Sequence, residues 1–137
     1  MEMNAGTRPA RRPRRILVVD DDPDVRLLLT TILNAADFEV ETATDGYDAL
    51  VLLEIVRRDL VLVDLVMPRI DGWTLVRAIR TLASTQDLPI VVMSAKFGLI
   101  NLKGHDVQGY VSKPIVPLAL LETLDAALRP QTAERDG

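Results

Sequence analysis

LVLVDLVMPRIDG, residues Leu60–Gly72, runs four apolar residues straight into a single acid, Asp64. A short, continuous apolar run with β-branched members reads as a strand buried on both faces. An unpaired carboxylate inside such a strand would be costly, so Asp64 is expected at the strand's carboxyl end. In an open α/β sheet that edge opens on a crevice where ligands sit. Met67-Pro68 then ends regular pairing, and Asp71-Gly72 marks a turn ahead of the next helix. An acid that merely caps a strand end would look the same, so the rest of the chain has to decide.

Working outward, Ile16–Val19 is a second short β-branched run that ends in acid, here Asp20, Asp21 and Asp22. Pro23 suits the first turn of a helix, which makes Asp22 the natural N-cap and leaves Asp20 and Asp21 free for other work. Val25, Leu28, Leu29, Ile32 and Leu33 repeat at helical spacing, predicting a helix to about Ala36. Phe38–Thr42 alternates as a strand, and Asp45-Gly46 opens a helix to about Arg57 with Ala49, Leu50, Leu53 and Val56 inward. Beyond the central strand, Leu75, Val76, Ile79 and Leu82 mark another helix, and Pro89–Met93 a buried strand ending at Ser94. Gly109–Val111 is a short strand followed by Ser112, Lys113 and Pro114. Pro117 begins a last helix carrying Leu120, Leu121, Leu124 and Leu128 on one stripe. Strands alternating with helices predict an α/β fold: a parallel sheet of right-handed βαβ units, with helices on both faces.

The chain has 137 residues, 48% hydrophobic and 26% charged, which fits one domain with a real core. It lacks an apolar run long enough to span a membrane. Without cysteine it can build neither a disulfide framework nor a thiolate metal site, and its single histidine excludes His-rich zinc or iron sites. A cytoplasmic protein is the simplest expectation. Residues 1–15 hold five of the 16 basic residues and one of the 20 acids, a charge of +4 against −8 in the remainder. With Gly6, Pro9 and Pro13 as well, residues 1–14 read as a disordered basic arm. It could meet nucleic acid, an acidic surface or anionic lipid, or simply stay solvated. Residues 15–129 are expected to form the domain, and residues 130–137 a disordered tail.

In a parallel sheet all carboxyl ends share one edge. Asp20, Asp21, Asp64, Ser94 and Lys113 each fall at the end of an expected strand, so three carboxylates, a hydroxyl and an ammonium converge on one crevice. Three neighbouring acids repel one another and call for a cation. Oxygen donors without His or Cys select a hard ion, and Mg²⁺ suits a site with few carboxylates. A strand-end hydroxyl and ammonium would hold phosphoryl oxygens. Together these groups outline an aspartyl-phosphate site, with a carboxylate nucleophile, a screening metal and donors around the transferred group.

The motifs ILVVDDD, LVDLVMPRIDG, VVMSAK and GYVSKP, in that order, resemble the receiver domain of two-component response regulators over roughly Arg15 to Leu128. The resemblance is to the single-domain, chemotaxis-receiver-like members. It implies a (βα)5 doubly wound, five-stranded, flavodoxin-like fold. It also implies phosphorylation by a partner sensor histidine kinase or phosphotransfer protein, with a downstream protein target. By position, Asp64 would be the phosphoacceptor, and Asp20 and Asp21, with Asp64 and the backbone carbonyl of Val66, would hold Mg²⁺. Ser94 would be the switch hydroxyl, Lys113 the phosphate-binding lysine and Tyr110 the switch aromatic. The resemblance further implies a cis Lys113–Pro114 bond.

One segment departs from the pattern. Between Ser94 and Lys113 the chain is short for a full fourth helix and carries Gly98, Gly104 and Gly109, so a shortened helix of a turn or two, near Leu99–Lys103, is expected. His105 in that segment is given no role, and Trp73 is assigned to packing. No DNA-binding domain is expected in the chain. As a signalling domain it should show at most self-phosphorylation from small donors and slow autodephosphorylation. Two other readings stay open: a receiver-fold scaffold that works without phosphorylation, and a haloacid-dehalogenase-like phosphatase using Asp20 and Asp22 as an Asp-x-Asp pair.

Overall fold

The computed structural model describes residues 12–95 and 106–129. Five strands form one parallel sheet: β1 Arg15–Val19, β2 Glu39–Ala43, β3 Leu60–Asp64, β4 Ile90–Ser94 and β5 Gly109–Ser112, in the order β2-β1-β3-β4-β5. Among the described residues four helices connect and cover it: α1 Pro23–Ala35, α2 Gly46–Ile55, α3 Gly72–Thr81 and α4 Pro117–Leu128. The order reverses direction at β1, and the crevice beside β1 and β3 is therefore the topological switch point where ligands of such sheets bind.

The uninterrupted apolar strands explain the layering. β3 and β4 are buried along their whole length, and alternate residues of each strand feed two separate cores. On one face Leu17, Val19, Val61, Val63 and Val92 pack with Leu53 of α2 and Leu75 and Ile79 of α3. On the other, Ile16, Val18, Leu60, Leu62 and Met93 pack with Leu29 and Leu33 of α1 and Leu120 and Leu124 of α4. Pairing is in register from Ile16–Leu60 to Val19–Val63, so β1 and β3 end level and bring their terminal acids together.

The helix starts follow the sequence closely. Asp22, Asp45 and Asp71 each accept a hydrogen bond from a backbone N–H in the first turn of the helix that follows, which is what an N-cap does. Small differences from expectation have local causes. Helix α2 stops at Ile55 rather than near Arg57 because Val56 turns extended. Strand β4 starts after Pro89, which has no N–H to give the ladder, and takes in Ser94. Leu28, on the expected apolar stripe of α1, is 44% exposed; Leu29 and Leu33 carry the burial, and Leu28 lies at the margin. Trp73 packs partly buried against the α2–α3 core, as assigned. The expected short helix near Leu99–Lys103, His105, residues 1–11 of the basic arm and the tail 130–137 all lie outside the described residues. None of the described helices is long and apolar enough to cross a membrane.

Candidate functional site

The sheet's carboxyl edge holds a cavity of about 310 Å³ lined by Asp20, Asp21, Asp22, Asp64, Val66, Ala95 and Lys113. Asp64 is the last residue of β3 and Asp20 the first after β1; both are buried, while Asp21 is exposed at the mouth. One carboxylate oxygen from each of the three lies within 4.8 Å of the others. Such closeness between like charges needs fixed partners, and the structure supplies several. The Lys113 Nζ lies 2.9 Å from Asp20 Oδ2 and 3.4 Å from Asp64 Oδ2. The Val66 N–H donates to Asp64 Oδ1 (3.1 Å), and the Asp22 N–H to Asp20 Oδ1 (2.9 Å).

The electrostatics follow. Burial pushes the Asp64 carboxyl above its ordinary 3.8, and the Asp20 charge pushes the same way, against the Val66 hydrogen bond and the Lys113 charge. Burial alone would lower the Lys113 ammonium, but the hydrogen bond and charge of Asp20, with those of Asp64, outweigh it and hold Lys113 above its ordinary value. Three carboxylates against one ammonium leave the cluster short of positive charge. Its donors are all oxygens, two of them buried, which fits a hard divalent cation.

Ser94 is buried at the end of β4, one residue past the Asp64–Met93 pair. It flanks the cavity rather than lining it, and its backbone carbonyl accepts from the Lys113 N–H (2.9 Å) and the Tyr110 hydroxyl (3.2 Å). Tyr110 is half-buried against the α2–α3 core. The structure thus gathers Asp20, Asp21, Asp64, Val66 and Lys113 round one cavity, with Ser94 and Tyr110 joined to each other and to Lys113 behind it. The Lys113–Pro114 bond is cis, as the resemblance implied.

Three supporting residues escaped the sequence reading. A Cβ on Gly72 would lie 2.5 Å from the Asp64 carbonyl oxygen and 2.6 Å from Leu65 Cα, so α3 can start this close to the site only on glycine. Asp71-Gly72 had signalled only a turn. Arg26 donates to the Asp20 carbonyl (2.8 Å), and its place one turn past the Asp22 cap was the available signal. Arg69, at φ 70°, pairs with the N-cap Asp45 and lies 5.7 Å from the Tyr47 ring centroid, tying the loop after Asp64 to the start of α2. Nothing local in the sequence points to that contact.

Comparison with known proteins agrees with this geometry. The model of the response regulator receiver domain matches residues 16–125. The response regulator MprA of Mycolicibacterium vanbaalenii is 40% identical over 128 residues, covering 91% of this chain and 54% of its own length. The DNA-binding response regulator MtrA of Mycolicibacterium smegmatis is 36% identical over 121 residues, 85% of this chain and 51% of its own. The chain thus spans about half the length of these relatives. Among solved structures, the chemotaxis protein CheY4 of Vibrio cholerae superposes with a TM-score of 0.80 at 30% identity, over 85% of this chain and all of that one. The receiver domain of a sensor histidine kinase from Pseudomonas aeruginosa, with a magnesium ion coordinated in its active-site cleft, gives 0.77 at 25% identity, over 85% of this chain and 98% of that one.

Proposed function

Since this chain belongs to the response regulator receiver domain family, we propose that Asp64 is its phosphoacceptor and that the acid cavity is where transfer occurs. The single observation that carries the reading is the buried Asp64 carboxylate, held at the sheet edge beside two further acids and one lysine. The Val66 N–H on Oδ1 and the Lys113 ammonium near Oδ2 fix the plane of the carboxylate. An Asp64 oxygen attacks the phosphorus of a phosphohistidine or a small acyl phosphate, the bond to the leaving nitrogen or oxygen breaks, and an acyl phosphate results. Lys113 is placed to move from the Asp20 and Asp64 carboxylates onto the new phosphoryl oxygens. Ser94 supplies a hydroxyl from β4, and its carbonyl link to Tyr110 gives a route from the site to the β5 surface.

Asp20, Asp21 and Asp64, with the Val66 carbonyl, would hold Mg²⁺, which when bound supplies the positive charge that three carboxylates and a phosphoryl dianion lack. The donor is a sensor histidine kinase or a phosphotransfer protein, the recipient of the signal a downstream protein, and the setting the cytoplasm. Residues 15–129 act as the switching unit and lose their phosphoryl group slowly without a partner. The phosphatase reading loses its second acid, because Asp22 is engaged as the N-cap of α1. The scaffold reading finds no support in a site where every expected acid, hydroxyl and lysine is present. Incubation with acetyl phosphate tests the proposal: incorporation should require Mg²⁺, stop with EDTA, and give an alkali-labile product. Metal-independent incorporation, or an alkali-stable product, would overturn it.

A further inference from the structure

Helix α2 is apolar almost all round: within Gly46–Ile55 only Asp48 and Glu54 are charged. Its inner side, Ala49 and Leu53, is buried in the core. Its outer side carries Tyr47, Val51 and Ile55, 59%, 56% and 68% exposed, at four-residue intervals that align them in one stripe. A helix this apolar on both sides is ordinarily covered on both. Isolated exposed apolar side chains need no explanation, but three in a row on one helix form a patch of the kind partners use.

The charges beside the stripe select the occupant. At 3.6 residues per turn, Asp48 lies about 60° to one side of Val51 and Glu54 about 60° to the other. Both are exposed, and Glu54 has no hydrogen bond or ion pair among the described residues. Acids thus flank Val51 on both sides, while at the Tyr47 end the Arg69 guanidinium lies 5.7 Å from the ring and is already paired with Asp45. A second copy of this chain fits badly. An antiparallel two-fold pairing would set Tyr47 on Ile55 but put each acid on the same flank as its own copy, Asp48 with Asp48 and Glu54 with Glu54, and a parallel one would lay these acids on apolar neighbours. The chain's own basic arm lacks large apolar anchors at helical spacing.

We propose that the Tyr47–Val51–Ile55 face of α2 is a docking surface for an amphipathic helix of a protein partner, with apolar residues at four-residue spacing flanked by Lys or Arg. The stripe supplies the contact area, and the flanking acids set orientation and exclude acidic helices. This surface lies on the α2–α3 side of the sheet and shares no lining residue with the acid cavity.

The test uses the full chain, labelled for NMR, and a synthetic helical peptide with leucines at four-residue spacing flanked by lysines. A second peptide carries glutamates in place of the lysines. The lysine peptide should perturb amides of residues 47–55, and the glutamate peptide should not. Asp48→Lys with Glu54→Lys should reverse the preference by about tenfold, since two exposed charge pairs are worth that much. Val51→Asp should weaken both. Because the Asp48 carboxylate also accepts from the Thr44 N–H at the start of α2, Glu54→Lys alone is the control that leaves the helix start and the core intact, and it should shift the preference the same way by about threefold even if Val51→Asp folds poorly. Perturbation centred elsewhere, equal binding of both peptides, or α2 shifts that grow with protein concentration alone would overturn the proposal, the last by showing a second copy as occupant.

Discussion

Replacing Lys113 by Met removes the cation from between two buried carboxylates while keeping the length and much of the packing of the side chain. At an effective dielectric of about 20, unit charges at the observed 2.9 and 3.4 Å attract by roughly 5 kcal/mol each. Much of that is offset by the cost of desolvating the ammonium, and broken buried pairs lose about 3–5 kcal/mol in practice. The ammonium keeps a fifth of its side-chain exposure, which argues for the lower end, about 3 kcal/mol. For a domain of this size that is a fall in Tm on the order of 10 °C. Thermal unfolding followed by circular dichroism, in EDTA and in Mg²⁺, measures it. Because Lys113 also repels a metal ion, Lys113→Met should bind Mg²⁺ more tightly and show the larger Mg²⁺-induced rise in Tm. A metal-free variant within about 1 kcal/mol of the parent, or a smaller Mg²⁺ effect, would refute the account of Lys113 as the counter-charge of the acid pair.

Asp64→Asn should stabilise the metal-free protein. Its folded carboxyl is raised, so the parent has its full contribution below the ordinary value of 3.8 and loses it as pH rises through the folded value; the gain of the variant over the parent should therefore grow over that window, read from paired urea titrations across pH. Gly72→Ala should cost about 1–3 kcal/mol, because the new methyl meets Asp64 and Leu65 backbone rather than yielding side chain, and it should slow phosphorylation at saturating donor. Beryllofluoride, a stable phosphoryl mimic, should change hydrogen exchange most across residues 95–112; a change confined to the loop after Asp64 would show that the Ser94–Tyr110 link is not used.

The strands and the site were legible for the same reason. Four-residue apolar runs that stop at Asp20 and Asp64 are buried on both faces and can end only at a polar edge, so the pattern specified both sheet and crevice. Helix starts were legible because Asp22, Asp45 and Asp71 act within one turn of themselves. What stayed hidden acts over distance. Arg80, which lies within the helix expected from Leu75, Val76, Ile79 and Leu82, donates to the carbonyls of Thr85, Gln86, Leu88 and Asp106 and to the Gln108 side chain, tying the end of α3 to the approach to β5. A periodicity argument places Arg80 on α3 and says nothing of carbonyls 26 residues away. The closeness of Gly72 to the Asp64 backbone is hidden in the same way, since a turn glycine and a close-contact glycine look alike in sequence.

The claim that Asp64 receives the phosphoryl group is tested most directly by intact-protein mass after reaction with phosphoramidate and Mg²⁺, in the parent and in Asp64→Asn. The account predicts the gain of one phosphoryl group in the parent, removed by hydroxylamine, and no gain in the variant. An unchanged parent mass, or labelling that persists in Asp64→Asn, would contradict it.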